Sequence, residues 1–274
     1  MTEAVAFHGE GPVWSERWGG LRWVDMLAGD VLSLAEDGTI GRRNVGEIAA
    51  AIRPRSGGGA VIGVERGFAL EDRDGTLTRL DELWSDAGVR MNEGGCDPDG
   101  RFYCGSMAYD QAPGAASLYR LDPDLSVHVV LDGVTVSNGL EWSPDGSRAY
   151  YNDTATLTIA VLDYDREAGL TTGRQFADVS PNRPDGLTVD SDGGVWVALS
   201  NGGAVRRYTP DGALDQVVEL PTQKVTACTF GGPELDQLFI TTSREGIDPD
   251  DGVAGSLFRA EAGTRGMPVR EFAG

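Results

Sequence analysis

The amino-acid sequence predicts an all-β protein, a six-bladed β-propeller with four antiparallel strands in each blade. Two observations support this prediction. First, a motif in which a polar residue opens an apolar strand recurs at Asn92, Asn138, Asp185 and Thr226, at intervals of 46, 47 and 41 residues. A period of this size is typical of one supersecondary unit stacked on its neighbours. Second, short runs of Val, Leu, Tyr, Phe and Trp alternate with Asp-Gly turns, a strong signal for β-hairpins.

The units can be followed along the chain. The first opens at Glu10, and the interval from Glu10 to Asn92 leaves room for one more unit, near residues 49–52. In the first unit, a second apolar run at residues 21–25 and a third at 31–34 follow the inner-strand motif. Four strands in roughly 45 residues match a propeller blade, and six such units fill 274 residues. The turns between the runs include Asp37-Gly38, Asp74-Gly75, Asp99-Gly100, Asp145-Gly146, Asp192-Gly193 and Asp211-Gly212.

Residues 1–274 are predicted to form a single domain, because no Pro/Ser-rich linker or shift in composition divides the chain. A ring of blades needs its first and last units joined. We expect the N-terminal segment, residues 4–7, to add an outer strand to the last blade. The sequence shows no apolar run of membrane-spanning length and no signal-peptide pattern at residues 1–4, so a cytoplasmic location is expected.

The charge balance restricts the partners. The chain has 23 Lys and Arg against 43 Asp and Glu, a net charge of −20. Nucleic acids and anionic membranes both need a basic surface, so neither is expected as a partner. Acidity favours a divalent cation and a small neutral substrate, although it also serves solubility alone. A monomer or a small homo-oligomer is expected. Lys224 is the only lysine, which we interpret as a bias in genomic base composition.

Three cysteines, an odd number without a Cys-x-x-Cys pair, favour neither disulfides nor a zinc knuckle. Cys96, Cys104 and Cys228 are therefore predicted to be small buried core residues. The chain also lacks the Gly-x-Ser-x-Gly, P-loop and His-Glu-x-x-His motifs. Serine hydrolase, nucleotide-binding and zincin functions are accordingly not supported.

A metal site is predicted on the axis of the ring. If the units close, the same position in each unit faces the same central axis, and Glu10, Asn138 and Asp185 converge. Two carboxylates and an amide are hard oxygen ligands that suit Ca²⁺, Mg²⁺ or Mn²⁺, and carboxylates also bind Zn²⁺. We therefore predict one divalent metal ion held by these three residues. The alternative is that they only line a water-filled channel.

A second group of polar residues lies at the mouth of the third inner strand. Arg90, Asn92 and Glu93 offer donors and acceptors side by side, as the hydroxyls of a polyhydroxylated substrate require. We predict that they bind substrate; the alternative is an Arg–Glu surface pair beside a turn. His8, two residues before Glu10, is interpreted either as support for the metal site or a general base, or as a rim histidine without function.

Several motifs recur in order from the first unit to the last, including Gly9-Glu10-Gly11-Pro12-Val13-Trp14, Arg90-Met91-Asn92-Glu93-Gly94-Gly95, Ser137-Asn138-Gly139-Leu140-Glu141-Trp142, Arg183-Pro184-Asp185-Gly186 and Cys228-Thr229-Phe230-Gly231-Gly232. In order and spacing, these segments resemble the SMP-30/gluconolactonase/LRE family, also called the regucalcin family. The resemblance implies a six-bladed propeller with one divalent metal in its central channel. It maps the family's Glu, Asn and Asp ligands onto Glu10, Asn138 and Asp185, and its substrate contacts onto Arg90 and Asn92. The next residue, often Asp in the family, is Glu93 here, which bears on substrate preference more than on reaction type.

Many members of that family hydrolyse sugar lactones such as gluconolactone, and the resemblance implies the same activity here. We expect a metal-dependent lactonase, a carboxylic ester hydrolase, that opens an aldonolactone to its aldonic acid. The metal would polarise the lactone carbonyl, and Asp185 is the predicted catalytic residue that orients or deprotonates the attacking water. Two alternatives remain: a non-catalytic propeller that binds a partner and holds a structural metal, and a metal-dependent esterase or phosphotriesterase with the same site.

Overall fold

Six antiparallel sheets surround a central axis in the computed structural model, which describes residues 1–274. The predicted six-bladed β-propeller is therefore confirmed. Each blade runs in chain order from an inner strand beside the axis to an outer strand. Blade 1 consists of β1 (Gly9–Ser15), β2 (Gly20–Asp25), β3 (Asp30–Leu34) and β4 (Ile40–Asn44). Blade 2 consists of β5 (Ala49–Pro54), β6 (Ala60–Val64), β7 (Gly67–Glu71) and β8 (Leu77–Arg79).

The remaining blades repeat this plan. Blade 3 consists of β9 (Val89–Cys96), β10 (Phe102–Ala108), β11 (Ala116–Leu121) and β12 (Val127–Val134). Blade 4 consists of β13 (Ser137–Trp142), β14 (Arg148–Asp153), β15 (Thr158–Asp165) and β16 (Gly169–Asp178). Blade 5 consists of β17 (Pro184–Val189), β18 (Val195–Leu199), β19 (Ala204–Tyr208) and β20 (Leu214–Glu219). Blade 6 consists of β21 (Val225–Gly231), β22 (Gln237–Thr242) and β23 (Leu257–Glu261).

Helical structure is limited to three single-turn 3₁₀ segments, at Glu16–Trp18, Met26–Ala28 and Thr154–Thr156. The chain has no helix with the length and apolar character needed to span a membrane. The propeller is therefore built from hairpins, as the recurring Asp-Gly turns predicted.

The N-terminal segment closes the ring. Ala4 pairs with Ser256 in an antiparallel bridge beside β23, and the backbone N–H of Thr2 donates to Leu257 O at 2.9 Å. The segment thus takes the fourth place in blade 6, as predicted, although it forms a bridge instead of a regular strand. Strand β1 packs against β21, so the first and last inner strands are neighbours.

Large aromatic side chains fill the space between blades. Trp23, Trp142 and Trp196 are fully buried, and the Trp142 ring lies 5.3 Å from that of Tyr103. Burying such a side chain contributes about 1.5–3 kcal/mol relative to leaving it exposed. The three cysteines are free and buried, as predicted. Because packing between blades holds the ring, the residues on the axis are free to serve a binding site.

The C-terminal tail covers one end of the central channel, here called the lower end. Phe272 is fully buried, its N–H donates to Pro54 O at 2.8 Å, and the Ala273 N–H donates to Gly100 O at 2.9 Å. Pro54 ends an inner strand and Gly100 lies just beyond another. The upper end, where the inner strands begin, is the end at which the predicted site residues lie.

Candidate metal centre and active-site cavity

Each inner strand is irregular near its start. The pairing register between the first and second strands shifts within every blade, by one extra residue on the inner strand. Asn138 and Asp185 lie inside such shifts, and Glu10 directly precedes one. Since a β-bulge re-aims a side chain and bends the strand, six bulges at equivalent positions direct equivalent residues towards the axis.

Glycine follows Asn138 and Asp185 because the next inner strand lies too close for a side chain. A Cβ on Gly139 would lie 2.5 Å from Leu187 N, and one on Gly186 would lie 2.5 Å from the Ala227 Cβ. The pairs Asn138-Gly139 and Asp185-Gly186 thus combine a polar side chain that faces the central axis with a close contact between blades. This packing explains why the sequence motif couples a polar residue to glycine.

A cavity of about 540 Å³ opens at the upper end of the channel. Its inner lining includes Glu10, Asn92, Asn138 and Asp185, the axis residues of four blades. The axis positions of blades 2 and 6 are filled by Ala50 and Thr226. The cavity is therefore lined by all three predicted metal ligands and by two of the predicted substrate contacts, Arg90 and Asn92. A volume of this size suits a small organic ligand.

Two oxygens in this cavity are buried without a hydrogen-bond partner, Oδ1 of Asn138 and Oδ1 of Asp185. The Asn138 side chain is fixed, because its Nδ2 donates to Thr154 Oγ1 at 2.9 Å, and Thr154 Oγ1 in turn donates to Pro184 O at 2.7 Å. Leaving a buried acceptor unsatisfied costs roughly 1–3 kcal/mol. Together with the Glu10 carboxylate, these oxygens fit a divalent cation, which prefers oxygen ligands. No group of three or more His, Cys, Asp or Glu side chains is placed to hold a metal ion, so the set depends on the amide.

The raised pKa values of the Asp185 and Glu10 carboxyl groups also fit a bound cation. Burial raises the pKa of Asp185 to about 7, against the opposing effect of Lys224. Burial and the nearby carboxylates of Asp185 and Glu93 raise the pKa of Glu10 well above its usual value. Both shifts record that the charged forms lack compensation. A cation bound between the carboxylates would supply that compensation.

Arg90 and Asn92 lie together on the cavity wall. Nη1 of Arg90 donates to Asn92 Oδ1 at 2.7 Å, and Asn92 Nδ2 donates to Ser137 O at 2.7 Å. Arg90 has no carboxylate partner within the chain, and its Nε is buried without an acceptor. The guanidinium is thus held rigidly, with unused donor capacity beside the candidate metal ligands.

The structure does not bring Glu93 into this cavity. Its side chain instead lines a small pocket of about 30 Å³ at the lower end of the channel. There the Glu93 carboxylate lies 3.7 Å from the Arg53 guanidinium and accepts a hydrogen bond from Gly94 N at 2.9 Å. Its position next to Asn92 in the sequence therefore does not give it the same surroundings.

A second ring of residues lines the cavity one layer above the axis residues. His8, Arg90, Arg183 and Lys224 each lie two positions before the axis residue of their blade, and all four line the cavity. The sequence motifs leave the role of His8 undecided between two interpretations, and they assign no role in the site to Lys224. The signal that identifies them is the two-residue period of a β-strand, which places residues i and i−2 on one face.

His8, a member of this second ring of residues, lies beside Glu10, one of the candidate metal ligands. Its Nδ1 lies 2.7 Å from Ser243 Oγ, and its Nε2 lies 3.7 Å from Glu10 Oε1. Burial lowers the pKa of His8 to about 3, so its imidazole is neutral at physiological pH. Lys224, in the same ring, pairs with Glu245, its Nζ lying 2.5 Å from Oε2.

Comparison with known proteins agrees with this geometry. The profile of the SMP-30/Gluconolactonase/LRE-like region matches residues 8–244. Regucalcin from Danio rerio is 35% identical over 281 residues, an alignment that covers 97% of this chain and 95% of that protein.

Solved structures give the same result. A calcium-binding protein, regucalcin from Agrobacterium tumefaciens, superposes with a TM-score of 0.91 at 27% identity, covering 99% of this chain and 95% of its own. A gluconolactonase from Xanthomonas campestris superposes with a TM-score of 0.77 at 26% identity, covering 94% of this chain and 87% of its own. The family predicted from the sequence motifs is thus confirmed, and the chain belongs to the SMP-30/gluconolactonase/LRE-like family.

Proposed function

We propose that this protein is a divalent-metal-dependent lactonase that opens a sugar lactone, an aldonolactone, to its aldonic acid. The observation that supports this most directly is the pair of buried oxygens, Asn138 Oδ1 and Asp185 Oδ1, that lack a protein partner in the cavity. Membership of the family and the structural likeness to a gluconolactonase favour lactone chemistry over other uses of the fold. Fold alone would not decide this.

Glu10, Asn138 and Asp185 would hold the cation, which supplies Lewis-acid polarisation of the lactone carbonyl when bound. Asp185 has a second role in this proposal. Its carboxylate orients the attacking water and accepts a proton from it as the water oxygen bonds to the carbonyl carbon. The backbone of Asp185 is held for this by Asn152, whose Nδ2 donates to Asp185 O at 2.6 Å.

Arg90 and Asn92 position the substrate. Both side chains are buried and hydrogen-bonded to each other, so little conformational freedom is lost when a ligand binds. The unused donors of Arg90 suit the hydroxyl and ring oxygens of a sugar lactone. Holding the ester carbon at a fixed place beside Asp185 lowers the entropic part of the barrier.

The test is acid release from a panel of lactones by protein stripped with a chelator and then titrated with Ca²⁺, Mn²⁺, Mg²⁺ or Zn²⁺. We expect hydrolysis of an aldonolactone that disappears with the metal and returns at one equivalent of the active ion. An aryl ester and a phosphotriester belong in the panel, because a preference for either would identify the site as a general esterase or phosphotriesterase.

Two results would contradict the proposal. Undiminished hydrolysis by metal-free protein would show that the cation is not part of the reaction. Stoichiometric metal binding without hydrolysis of any lactone would favour a non-catalytic propeller with a structural metal.

A further inference from the structure

The only lysine of the chain lies in the active-site cavity. Lys224 directly precedes β21 and occupies the second ring of the cavity wall in blade 6. Its side chain is 21% exposed. Of the charged neighbours of Asp185, Lys224 lowers the pKa of that carboxyl most strongly. The ammonium group therefore faces the same space as the proposed base.

Two of the three ammonium protons of Lys224 are used by one residue. Nζ donates to Glu245 Oε2 at 2.5 Å and to Glu245 O at 2.9 Å. Glu245 is itself held, since its N–H donates to Ser243 Oγ at 3.0 Å. An ammonium has three donors, and no protein group accepts the third. Lys224 thus presents a fixed N–H without a partner on the cavity wall.

Opening a lactone requires a proton at the ring oxygen. When the carbonyl re-forms, the bond between the carbonyl carbon and the ring oxygen breaks, and its electron pair stays on that oxygen. The resulting alkoxide is a strong base, so a positioned acid accelerates this step, typically by about 10²–10⁴-fold. Asp185 acts as the base that removes a proton from water in the proposed mechanism, so a different group is needed as the acid.

Few groups in the cavity can supply that proton. Arg90 and Arg183 line it, but arginine does not release a proton in proteins. Tyr109 is 46% exposed at the rim, and its hydroxyl donates to Glu65 Oε1 at 3.2 Å. The two ring nitrogens of His8 lie next to Ser243 and Glu10, so neither is directed at a substrate. Lys224 remains.

We propose that Lys224 is the general acid of this reaction, an inference that rests on the lactonase function proposed above. Its Nζ gives the free proton to the ring oxygen as the carbon–oxygen bond breaks, and the product carries a hydroxyl there. The neutral amine then regains one proton. This balances the one proton that Asp185 took from water, so both residues return to their starting states. Glu245 holds the amine in place and favours its reprotonation. The ionisation of the product acid accounts for the proton released to solvent.

A pair of substrates that differ in one atom tests this role. The δ-lactone of an aldonic acid and its ring-sulfur analogue carry the same hydroxyls and the same carbonyl carbon. A thiol ionises near pH 8.5, so a thiolate leaves without prior protonation whereas an alkoxide does not. The metal-loaded wild type and the variants Lys224→Met and Lys224→Arg are assayed on both substrates. Arginine keeps the positive charge but holds its proton.

We expect both variants to lose about 10²–10³ in kcat on the oxygen lactone and less than about tenfold on the thiolactone. Metal content and thermal midpoint should stay at the wild-type values. Arg183→Met is the matched control, because Arg183 occupies the same ring in blade 5. This variant should affect both substrates equally.

Three outcomes would overturn the proposal. Equal losses on the oxygen and sulfur substrates would show a binding or structural role for Lys224, and recovery of activity by arginine would show that charge alone matters. If the wild type hydrolyses neither substrate, the lactonase function itself fails, and the general acid with it. In the first two cases the wild type still hydrolyses the lactone, so the lactonase function stands and only the role of Lys224 as general acid is refuted.

Discussion

The carboxylates at the two ends of the central channel lie in different electrostatic settings; three of the four are buried, and the side chain of the fourth, Glu141, is 21% exposed. At the upper end, Glu10 and Asp185 have no Arg or Lys within salt-bridge distance, and one oxygen of Asp185 has no partner at all. At the lower end, Glu93 lies 3.7 Å from Arg53, and Glu141 lies 3.7 Å from Arg270. Burial raises the pKa of all four groups. At the lower end an arginine 3.7 Å from each carboxylate opposes this shift. At the upper end Lys224 opposes it for Asp185 without forming a salt bridge, and the largest charge effect on Glu10 comes from Asp185, which raises its pKa further.

In our proposal, this difference distinguishes the metal-binding end of the channel from the structural end. A buried carboxylate that already has its arginine is electrostatically complete, and the lower pocket of about 30 Å³ is the size of a water molecule and partly lined by Val269 of the C-terminal tail. A buried carboxylate without a salt-bridge partner is stabilised by taking up a proton, as its raised pKa indicates, or by binding a cation from outside the chain. The upper end, with its cavity of about 540 Å³, is open to both a cation and a substrate.

The largest effect is expected from Asp185→Asn. The amide keeps an oxygen that can bind metal but cannot accept a proton, so kcat should fall by about 10²–10⁴ while metal still binds. The measurement is steady-state hydrolysis of the aldonolactone together with metal content.

Excess metal should not rescue Asp185→Asn. If saturating metal restored the rate, Asp185 would act only as a ligand, and the base would be another group. If the rate never depended on Asp185, the hydrolase proposal would lose its centre.

Glu10→Gln should weaken metal binding by at least about tenfold, because even 1.4 kcal/mol of lost attraction changes Kd tenfold. The matched control is Glu141→Gln, the same change at the compensated end of the channel. Calorimetric titration with metal should separate the two variants. Equal metal affinity in both would contradict the assignment of the upper end as the metal site.

The fold and the axis residues could be predicted because both follow from repetition. Asp-Gly turns mark the hairpins, and a fixed interval places Asn138 and Asp185 at the same point of successive blades. The bulge that aims these residues at the axis is itself repeated, so one rule covers every blade. No knowledge of side-chain contacts was needed for this part.

Glu93, which the sequence predicts to bind substrate, shows what the repeat cannot predict: the end of the channel towards which a side chain points. Asn92 and Glu93 are adjacent, and both lie inside the register shift of β9. The bulge re-aims both side chains, and Asn92 faces the upper cavity whereas Glu93 faces the lower pocket. Motif spacing alone does not record that choice.

Lys224 shows a second limit. Its importance depends on Glu245, which lies 21 positions away in the loop between β22 and β23. The strand period could have placed Lys224 on the cavity wall, but the partner that fixes its ammonium comes from irregular structure. Such contacts are set by the packing of loops, which has no period to follow.

Arg90→Ala should raise KM on a sugar lactone by about tenfold or more, since a hydrogen bond to a charged group contributes about 1.5–3 kcal/mol. The contact is made in both ground and transition states, so kcat should change less. A small lactone without hydroxyls serves as the control substrate and should show little change. An equal rise in KM on both substrates would indicate that Arg90 is structural.

The uncompensated end should also make metal binding depend on pH. The pKa of Asp185 is raised from 3.8 to about 7 in the folded protein, and that of Glu10 is raised in the same direction. The metal-free protein therefore loses stability as pH rises from about 4 towards 7, because the folded state resists ionisation. Metal holds both groups as carboxylates, so the rise in Tm on adding metal should grow across this window. A rise in Tm that is independent of pH would contradict this linkage.

The smallest functional effect is expected from Glu93→Gln, which tests the lower end directly. The change leaves Arg53 without its carboxylate, so the free energy of unfolding should fall by about 1–3 kcal/mol. Because the side chain lines the lower pocket and not the cavity, KM for the aldonolactone should stay within about threefold of the wild type. Chemical denaturation and steady-state kinetics on the same preparation measure the two quantities. If KM instead rises as it does in Arg90→Ala, Glu93 contacts the substrate after all, and the two ends of the channel form one continuous site.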